Sequence, residues 1–356
     1  MRAISTPRLG GRTMLAAAVC AAVAVWAGGE RPPPRLAPPT AHPPTHSSTP
    51  PPTPPPAPPV ARPDVPLAPY VSAWAAGYDM AEAAARGVKE FTLGFVIAGG
   101  SCVPVWDGGI PLADRALMAR IAAVRRAGSD VRVSFGGAAG RELATVCADV
   151  PELATAYAAV IDRYGFTKAD FDIEGATLAD PVSATRRAQA IALLQRARPG
   201  LEVSFTLPAM PYGLTDDSSA LLANARAQGV DVSGVNIMAM NYGGEHTGDM
   251  GRYAVQAAIN AHGRIRGVLG LSEAAAWKTL TVTPMIGVND VSGEVFTLED
   301  AAGLARFAAA KGIGRLSMWS AERDRPCPAG EGAPGPDPAC SGVVQRPGAF
   351  EAVLAG

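Results

Sequence analysis

Between residues 68 and 356, short segments rich in β-branched and aromatic residues alternate with longer, alanine-rich amphipathic segments. The short segments predict buried strands, and the long segments predict helices that cover them. Strands are predicted over 70–74, 91–98, 131–135, 170–174, 202–207, 234–240, 281–287 and 315–319. Helices are predicted over 112–127, 152–164, 181–197, 218–228, 250–262, 273–279 and 298–311.

This alternation predicts an α/β fold. Eight strands with intervening helices indicate a single (β/α)8 TIM barrel over residues 67–356, a fold that needs roughly 250 residues. An open, doubly wound sheet is the alternative. That fold expects a glycine-rich phosphate turn after an early strand, and Gly136-Gly137 after the third strand is too short for one.

The fourth predicted strand carries three acids, Asp170, Asp172 and Glu174, at alternating positions. Successive side chains of a strand point to opposite faces, so the acids share one face while Phe171 and Ile173 share the other. A solvated strand edge is the alternative, but three repelling charges would gain nothing there. Inside a barrel mouth the acids raise one another's pKa, so that one can hold a proton near neutral pH. The triplet therefore predicts a general acid.

Composition narrows the classes of function. The chain has 356 residues, 48% of them hydrophobic, and a formal net charge of −1, so it lacks the basic excess typical of nucleic-acid binding. Its four histidines are scattered, at positions 42, 46, 246 and 262, which argues against a histidine-rich metal site. We expect no metal, no other cofactor and no nucleic-acid partner.

Residues 1–29 predict an export signal, because a leader with three arginines precedes a short apolar run, and small residues at 25 and 27 suit a signal peptidase. An uncleaved anchor is the alternative, but the run falls short of the ~20 apolar residues of a stable membrane span. Residues 30–66 are rich in proline and predict an extended linker. We therefore expect a secreted monomer, tethered to the cell surface if the signal stays uncleaved.

Chemically distinctive residues mark the predicted strand ends, where a barrel builds its active site. They are Ser134, Gly137, Met210, Met238, Met240, Asn241, Tyr242, Asn289 and Trp319. A single tryptophan at a strand end is usually part of the core. Beside acids and a tyrosine, however, Trp319 predicts the floor of a sugar-binding site.

The segment Asp170-Phe171-Asp172-Ile173-Glu174 resembles the core of the signature of glycoside hydrolase family 18, the chitinases and their relatives. The sixth strand is similar to the Met-x-Met-Asp-Tyr pattern of a bacterial and archaeal branch, and the segments 284–290 and 317–320 resemble the same branch. The resemblance covers the whole predicted barrel. It implies a chitinase that acts on chitin or chito-oligosaccharides.

The resemblance also implies retaining, substrate-assisted catalysis, an exception to the usual scheme with two carboxylates. Glu174 resembles the general acid, which later serves as the base for water. Asp172 resembles the residue that holds the substrate's acetamido N–H, with Asp170 beneath it. Tyr242 resembles the hydroxyl donor to the acetamido oxygen, and Trp319 the floor of the subsite. The remaining strand-end residues are expected to contact the substrate.

Two positions depart from the family pattern. Thr167 stands where the full signature begins with Asp, and this change is expected to be structural because the position lies at the buried start of the strand. Asn241 stands where the branch usually has Asp, so the hydrogen-bonding shape is kept and the charge is lost. Asn241→Asp is therefore expected to shift the pH–rate profile, because a new carboxylate near Asp172 would raise the pKa of its neighbour.

Four cysteines remain once the export signal is removed, and they allow three disulfide connectivities. Cys102 and Cys147 follow the second and third strands, so they lie on neighbouring loops at one end of the barrel. Cys327 and Cys340 bracket a loop rich in proline and glycine after the eighth strand. These two pairings are favoured. A zinc site is the alternative, but no close Cys or His spacing supports it.

The resemblance leaves two alternatives to a chitinase: an endo-β-N-acetylglucosaminidase acting on N-glycans, and a non-catalytic, lectin-like chitin-binding barrel. Silent members of the family typically lack the general acid, so the presence of Glu174 favours an enzyme. Many members also carry an α+β insertion after the seventh strand that walls the cleft. Here only about two dozen residues separate positions 290 and 315, and the predicted helix uses most of them. We therefore expect no insertion, an open groove and endo-action.

Overall fold

The computed structural model describes residues 65–75, 77–328 and 335–356. Eight parallel strands lie side by side in chain order. They are Tyr70–Ser72 (β1), Glu90–Ala98 (β2), Asp130–Gly136 (β3), Lys168–Asp172 (β4), Glu202–Met210 (β5), Gly234–Met238 (β6), Leu280–Thr283 (β7) and Arg315–Leu316 (β8). The sheet closes on itself, because Leu316 of β8 bridges Leu67 and the backbone N–H of Tyr70 donates to a carbonyl just after β8. The predicted (β/α)8 barrel is confirmed.

Helices cover the outside of the barrel. Those of seven or more residues in the described part of the chain are Met80–Arg86 (α1), Arg115–Arg126 (α2), Val150–Tyr164 (α3), Pro181–Ala197 (α4), Asp216–Ala227 (α5), Met250–Leu269 (α6), Glu273–Thr279 (α7), Leu298–Lys311 (α8) and Ala349–Ala355 (α9). Short helical turns lie at Asp107–Gly109, Leu143–Val146, Gly175–Leu178 and Ala321–Arg323. Short additional strands lie at Pro104–Trp106, Gly213–Leu214, Gly287–Val288 and Val295–Phe296.

Helices α1 to α8 each begin after an Asp, Ser or Thr whose side-chain oxygen accepts a backbone N–H of the first turn. Such caps satisfy N–H groups that have no partner within the helix. In α8 the cap is reciprocal, since the side chains of Thr297 and Asp300 each accept the other residue's backbone N–H. The predicted bounds 181–197, 273–279 and 298–311 match the structure.

Other bounds differ from the prediction. The fourth strand ends at Asp172, and Glu174 lies just beyond it, immediately before the turn Gly175–Leu178. Helix α6 runs to Leu269 rather than to 262, because Ile265 continues its buried face. Helices α1 and α9, of seven residues each, were not predicted.

Stacked aromatic rings fix which way the fourth strand faces. Phe135, Phe171 and Phe205 are partners in the register of β3, β4 and β5, and neighbouring ring centroids lie 5.3 and 5.9 Å apart. The ring of Tyr157 on α3 contacts Phe171 edge-on at 5.1 Å, so these aromatics pack between the sheet and its helices. Because side chains alternate along a strand, Asp170 and Asp172 must point into the barrel.

Charged side chains fill the barrel interior near the strand starts. Glu90 of β2 pairs with Arg132 of β3, with 3.0 Å between Nε and Oε1, and also with Lys168 of β4 and Arg315 of β8. Arg132 extends up to Ser204 of β5. Burial alone would raise the pKa of Glu90, but the cations Arg132, Arg315 and Lys168 outweigh it and lower the pKa to about 2.

We expect Glu90 to make folding stability depend on pH in the acid range. Its pKa falls from an ordinary value of 4.5 to about 2 on folding. Its contribution is therefore complete above pH 4.5 and is lost as the pH falls towards 2, a change of about 3 kcal/mol in the free energy of unfolding. Urea unfolding of the wild type and of Glu90→Gln measures this, and the gap between them should narrow from pH 6 to pH 3. A constant gap would contradict the assignment.

Both predicted disulfides are confirmed, Cys102–Cys147 and Cys327–Cys340. The first joins the loops that follow β2 and β3, and the second spans the chain after β8. Cys102 and Cys147 also lie beside Glu152, the one grouping in the described residues with the spacing of a metal site. Because both sulfurs are bonded to each other, neither is free to serve as a thiolate ligand.

The predicted export signal at 1–29 lies outside the described residues, and so does the predicted linker at 30–66 except for its last two positions. Across the three described ranges, no helix combines the length and the apolar character needed to cross a bilayer.

Candidate active site

The carboxyl ends of the barrel strands enclose a cleft with a volume of about 460 Å³, the place where barrel enzymes carry their active sites. The predicted site residues that line it are Asp172, Glu174, Met210, Met238, Met240, Asn241 and Trp319. The other lining residues are Tyr70, Phe95, Ala138, Thr206, Pro208, Ala209, Thr283 and Asp290.

Asp170 lies beneath the cleft and is 1% exposed. Four hydroxyl groups donate to its carboxylate at 2.6 to 3.1 Å, those of Tyr70, Ser134, Ser204 and Thr206. The register assembles this hydroxyl cage, because Asp170 stands opposite Ser134 on β3 and Ser204 on β5, at inward-facing positions. The cage satisfies a carboxylate that would be costly to bury alone.

Asp172 and Glu174 are hydrogen-bonded to each other in the wall of the cleft. Burial raises the pKa of Asp172 well above its ordinary value, and the charges of Glu174 and Asp170 raise it further. Burial also raises the pKa of Glu174. The hydrogen bond with Asp172 opposes that rise, and the charge of Asp290 adds to it. Both shifts favour the protonated forms, and a carboxyl group that keeps its proton is what a general acid requires.

Trp319 forms an aromatic floor beside these acids. Its ring stacks on Phe95, with 5.7 Å between centroids, and meets the edge of Tyr70 at 5.8 Å. Gly137 makes room for this arrangement rather than for a ligand. A Cβ there would come within 2.7 Å of the Phe95 ring, and the backbone of Gly137 has a positive φ of 85°. The predicted substrate contact at Gly137 is thus replaced by a packing role.

Two further predicted contacts lie away from the cleft surface. Ser134 is fully buried, and its hydroxyl is used by Asp170. Asn289 is 1% exposed, and its amide donates to the carbonyls of Met285 and Gly287 at 2.8 and 2.9 Å. Asn289 therefore shapes the turn after β7 and is not among the residues that line the cleft.

Tyr242, predicted to donate to the acetamido oxygen, is not among the residues that line the cleft. Its ring packs against His246 and Tyr253, with centroids 6.0 and 6.1 Å away. Its hydroxyl is buried without a hydrogen-bond partner in the described structure. Burial, with the nearby charge of Glu294, raises the pKa of Tyr242. The chain turns after β6, so the alternation that puts Met238 on the cleft side ends before residue 242.

Asn241 lines the cleft as predicted, but its side chain binds a different acid from the one expected. Its amide nitrogen donates to Oδ2 of Asp290 at 2.9 Å, and its amide oxygen accepts the backbone N–H of Asp290 at 3.0 Å. No hydrogen bond joins it to Asp172 in the described structure. A carboxylate at position 241 would therefore meet Asp290 first.

Sequence reasoning missed the hydroxyl cage and Asp290. Ser204 and Thr206 alternate on β5 as the acids do on β4, so the same period-two reasoning could have placed them inside the barrel. Tyr70 carried no comparable signal, because its partner Asp170 is a hundred positions away and only barrel closure brings the two together.

Solved and curated proteins resemble the chain closely. The catalytic domain of a hyperthermophilic chitinase from Pyrococcus furiosus is 34% identical, with a TM-score of 0.73, and the match covers 82% of this chain and 94% of that domain. The chain belongs to the chitinases of glycoside hydrolase family 18. Other solved members of family 18, at 12% and 14% identity, share the fold alone. No family model matches the chain.

Two curated chitinases match part of their own length to this family 18 domain. A probable bifunctional chitinase/lysozyme of Escherichia coli is 36% identical over 254 residues, which are 67% of this chain and 28% of that protein. Endochitinase 11 of Metarhizium anisopliae is 34% identical over 255 residues, which are 67% of this chain and 48% of that protein. The matches thus span about a quarter to a half of these relatives.

Proposed function

We propose that this chain is a retaining chitinase that hydrolyses the β-1,4 bonds of N-acetylglucosamine polymers by substrate-assisted catalysis. The observation that carries the proposal is the hydrogen-bonded pair Asp172–Glu174, set above the caged Asp170 in a cleft floored by Trp319. The Pyrococcus furiosus chitinase domain supports the substrate class, since its catalytic-site mutants have been solved in complex with chito-oligosaccharides.

The spacing of the acids favours the substrate's own acetamido group as the nucleophile. A retaining enzyme with a protein nucleophile holds its two carboxyl groups about 5 Å apart, and an inverting enzyme holds them roughly 6.5–9.5 Å apart. Asp172 and Glu174 interact directly with each other through a hydrogen bond, which neither of these arrangements includes. We infer that the two acids act as one unit and that neither is a separate nucleophile.

In the proposed reaction, Glu174 donates its proton to the glycosidic oxygen as the bond to the anomeric carbon breaks. The acetamido oxygen of the same sugar attacks that carbon and forms an oxazolinium ion. Oδ1 of Asp172, buried and without a hydrogen-bond partner in the described structure, accepts the acetamido N–H and balances the positive charge. Glu174 then takes a proton from water as the water oxygen attacks the anomeric carbon. This attack opens the oxazolinium ring and leaves the anomeric configuration retained.

The connection between β7 and β8 supports an open groove. It contains one hairpin, Gly287–Val288 with Val295–Phe296, followed by helix α8. Neither element provides the separate wall that would close a cleft into a tunnel. We therefore propose that the enzyme binds polymers in mid-chain and cuts internally.

Endo-action predicts that a soluble chitin derivative loses viscosity early, well before much reducing sugar accumulates. Each internal cut shortens the polymer greatly and creates only one new reducing end. The measurement follows viscosity and reducing ends in the same reaction with the full chain. Release of dimers from the first minutes at nearly constant viscosity would show exo-action.

Two parallel assays separate the alternatives to a chitinase. Chito-oligosaccharides of increasing length should be cleaved, whereas an N-glycoprotein should keep its glycans. Release of the glycans alone would indicate an endo-β-N-acetylglucosaminidase. Binding of chito-oligosaccharides without any cleavage would indicate a lectin-like barrel.

We further propose that the enzyme is secreted and works as a monomer. Its two disulfides, Cys102–Cys147 and Cys327–Cys340, are typical of proteins that fold in an oxidising compartment. The predicted export signal at 1–29 would supply the route, and the predicted linker at 30–66 would hold the barrel away from a surface if the signal remained attached.

A further inference from the structure

We propose that Asp290, whose carboxylate is fixed in place by Asn241, is a positioning residue that acts on Glu174 across the cleft and sets the basic limit of catalysis. The inference rests on the proposed function for its meaning in catalysis. Its physical basis is a contact between the loop after β6 and the hairpin after β7.

Asn241 is held in a conformation that few residues adopt. Its φ of 54° is the one positive value outside glycine in the described part of the chain. Asparagine tolerates this left-handed region better than most residues, but the conformation persists only where the surroundings impose it. Here the conformation is imposed by three hydrogen bonds from the Asn241 side chain to the hairpin.

Those hydrogen bonds define the orientation of the amide. Its oxygen accepts the backbone N–H groups of Asp290 and Val291, at 3.0 and 3.3 Å, and only an oxygen can do so. The amide nitrogen must then donate, and its acceptor is Oδ2 of Asp290 at 2.9 Å. Asn241 thus grips both the backbone and the carboxylate of Asp290, and we call this contact the Asn241–Asp290 clamp.

A second hydrogen bond between the same two loops supports the clamp. Glu294 lies on the same hairpin and is fully buried, and its Oε1 accepts the backbone N–H of Gly243 at 2.8 Å. The loop after β6 is therefore tied to the hairpin on both sides of its turn. The exposed carboxylate of Asp290 would otherwise be free to sample several rotamers.

Asp290 is placed where its charge reaches Glu174. Both side chains line the 460 Å³ cleft, and the charge of Asp290 raises the pKa of Glu174 beyond the effect of burial. Two other charged groups bear on this contact. Asp172 faces Glu174 from β4, and Arg323 lies near Asp290. The charge of Arg323 opposes that of Asp290, and its guanidinium is held by hydrogen bonds to hairpin carbonyls, among them that of Val288 at 2.6 Å.

The clamp gives a physical reason for the asparagine at position 241. An aspartate there could not donate to Asp290, and two carboxylates at 2.9 Å would repel or share a proton. The branch that the chain resembles usually has aspartate at this position. In this chain the neutral amide of Asn241 stabilises the carboxylate of Asp290. The charge of that carboxylate in turn favours the protonated form of Glu174.

The test measures the titration of Glu174 directly and through catalysis. In Asp290→Asn, the carboxyl carbon of Glu174, followed by ¹³C NMR and assigned with Glu174→Gln, should titrate about half to one pH unit lower than in the wild type. The basic limb of kcat/KM on chito-oligosaccharides should move down by the same amount, because it reports the pKa of the acid in the free enzyme. Asp290→Glu should restore at least half of the shift.

Two controls make the outcome decisive. Asp217→Asn, which neutralises an exposed aspartate in the first turn of α5, should leave both profiles unchanged. Asn241→Ala, which releases the carboxylate and keeps its charge, should shift both profiles in the same direction as Asp290→Asn but less far. An unmoved Glu174 titration in Asp290→Asn would overturn the inference, even if the wild type proved inactive on chitin. Failure of the wild type to cleave chito-oligosaccharides would instead overturn the proposed function.

Discussion

Glu174→Gln is expected to lower kcat on chito-oligosaccharides by a factor of roughly 10²–10⁴, the usual contribution of a general acid. Glutamine keeps the size and the hydrogen-bonding shape of glutamate but has no proton to give. The affinity for oligosaccharides should stay within about threefold of wild type, because the Trp319 floor and the rest of the cleft are unchanged. Steady-state kinetics and calorimetric binding on the same preparations measure the two effects.

Glu299→Gln provides the matched control for this variant. Glu299 is an exposed glutamate in the first turn of α8, and it does not line the cleft. Its replacement should leave kcat and affinity unchanged. Near-normal turnover in Glu174→Gln would remove Glu174 from the reaction, and with it the proposed mechanism.

Arg187→Met is expected to destabilise the fold by about 3–5 kcal/mol, the usual cost of leaving a buried charge without its partner. Arg187 of α4 is 1% exposed, and its Nη2 donates to Oε2 of Glu142 at 2.8 Å. Glu142 is also buried and accepts the hydroxyl of Tyr157 on α3 at 2.9 Å. The ion pair therefore joins the loop after β3 to two helices. Urea unfolding at neutral pH measures the loss.

The double variant Arg187→Met with Glu142→Gln tests the cause. A neutral amide at position 142 can still accept the hydroxyl of Tyr157, and no unpaired charge remains. The double variant should therefore recover most of the stability lost in the single variant. Equal destabilisation of both would show that packing around Arg187, and not the buried charge of Glu142, carries the effect.

The barrel and the acid triplet were predictable from the sequence because both depend on local periodicity. Phe171 and Ile173 are apolar and alternate with acids, and only one orientation of a strand buries both apolar side chains. Asp170 and Asp172 then have to face the barrel interior, whatever the neighbouring strands contain. The polar helix caps, such as Thr297 before α8, similarly act within one turn.

The sequence was least informative where the chain leaves regular structure. The role of Tyr242 was inferred from the family resemblance alone, and Asn241 adopts a left-handed conformation that redirects the chain before residue 242. Tyr242 therefore faces His246 and Tyr253 and not the cleft. The conformation of Asn241 depends on Asp290, which lies on another loop, so no local pattern in the sequence could have indicated it.

The polar interior of this barrel has a practical consequence for anyone who wishes to make the enzyme more heat-resistant. A continuous series of contacts runs from Glu90 through Arg132 and Ser204 to Asp170, beneath the acids that we propose to be catalytic. Protein engineers usually treat the lower end of such a barrel as a region where changes leave activity alone. Here apolar substitutions at Glu90 or Arg132 would disturb the support of Asp170. Mutagenesis libraries for thermal tolerance should therefore target the outward faces of helices such as α2 and α6.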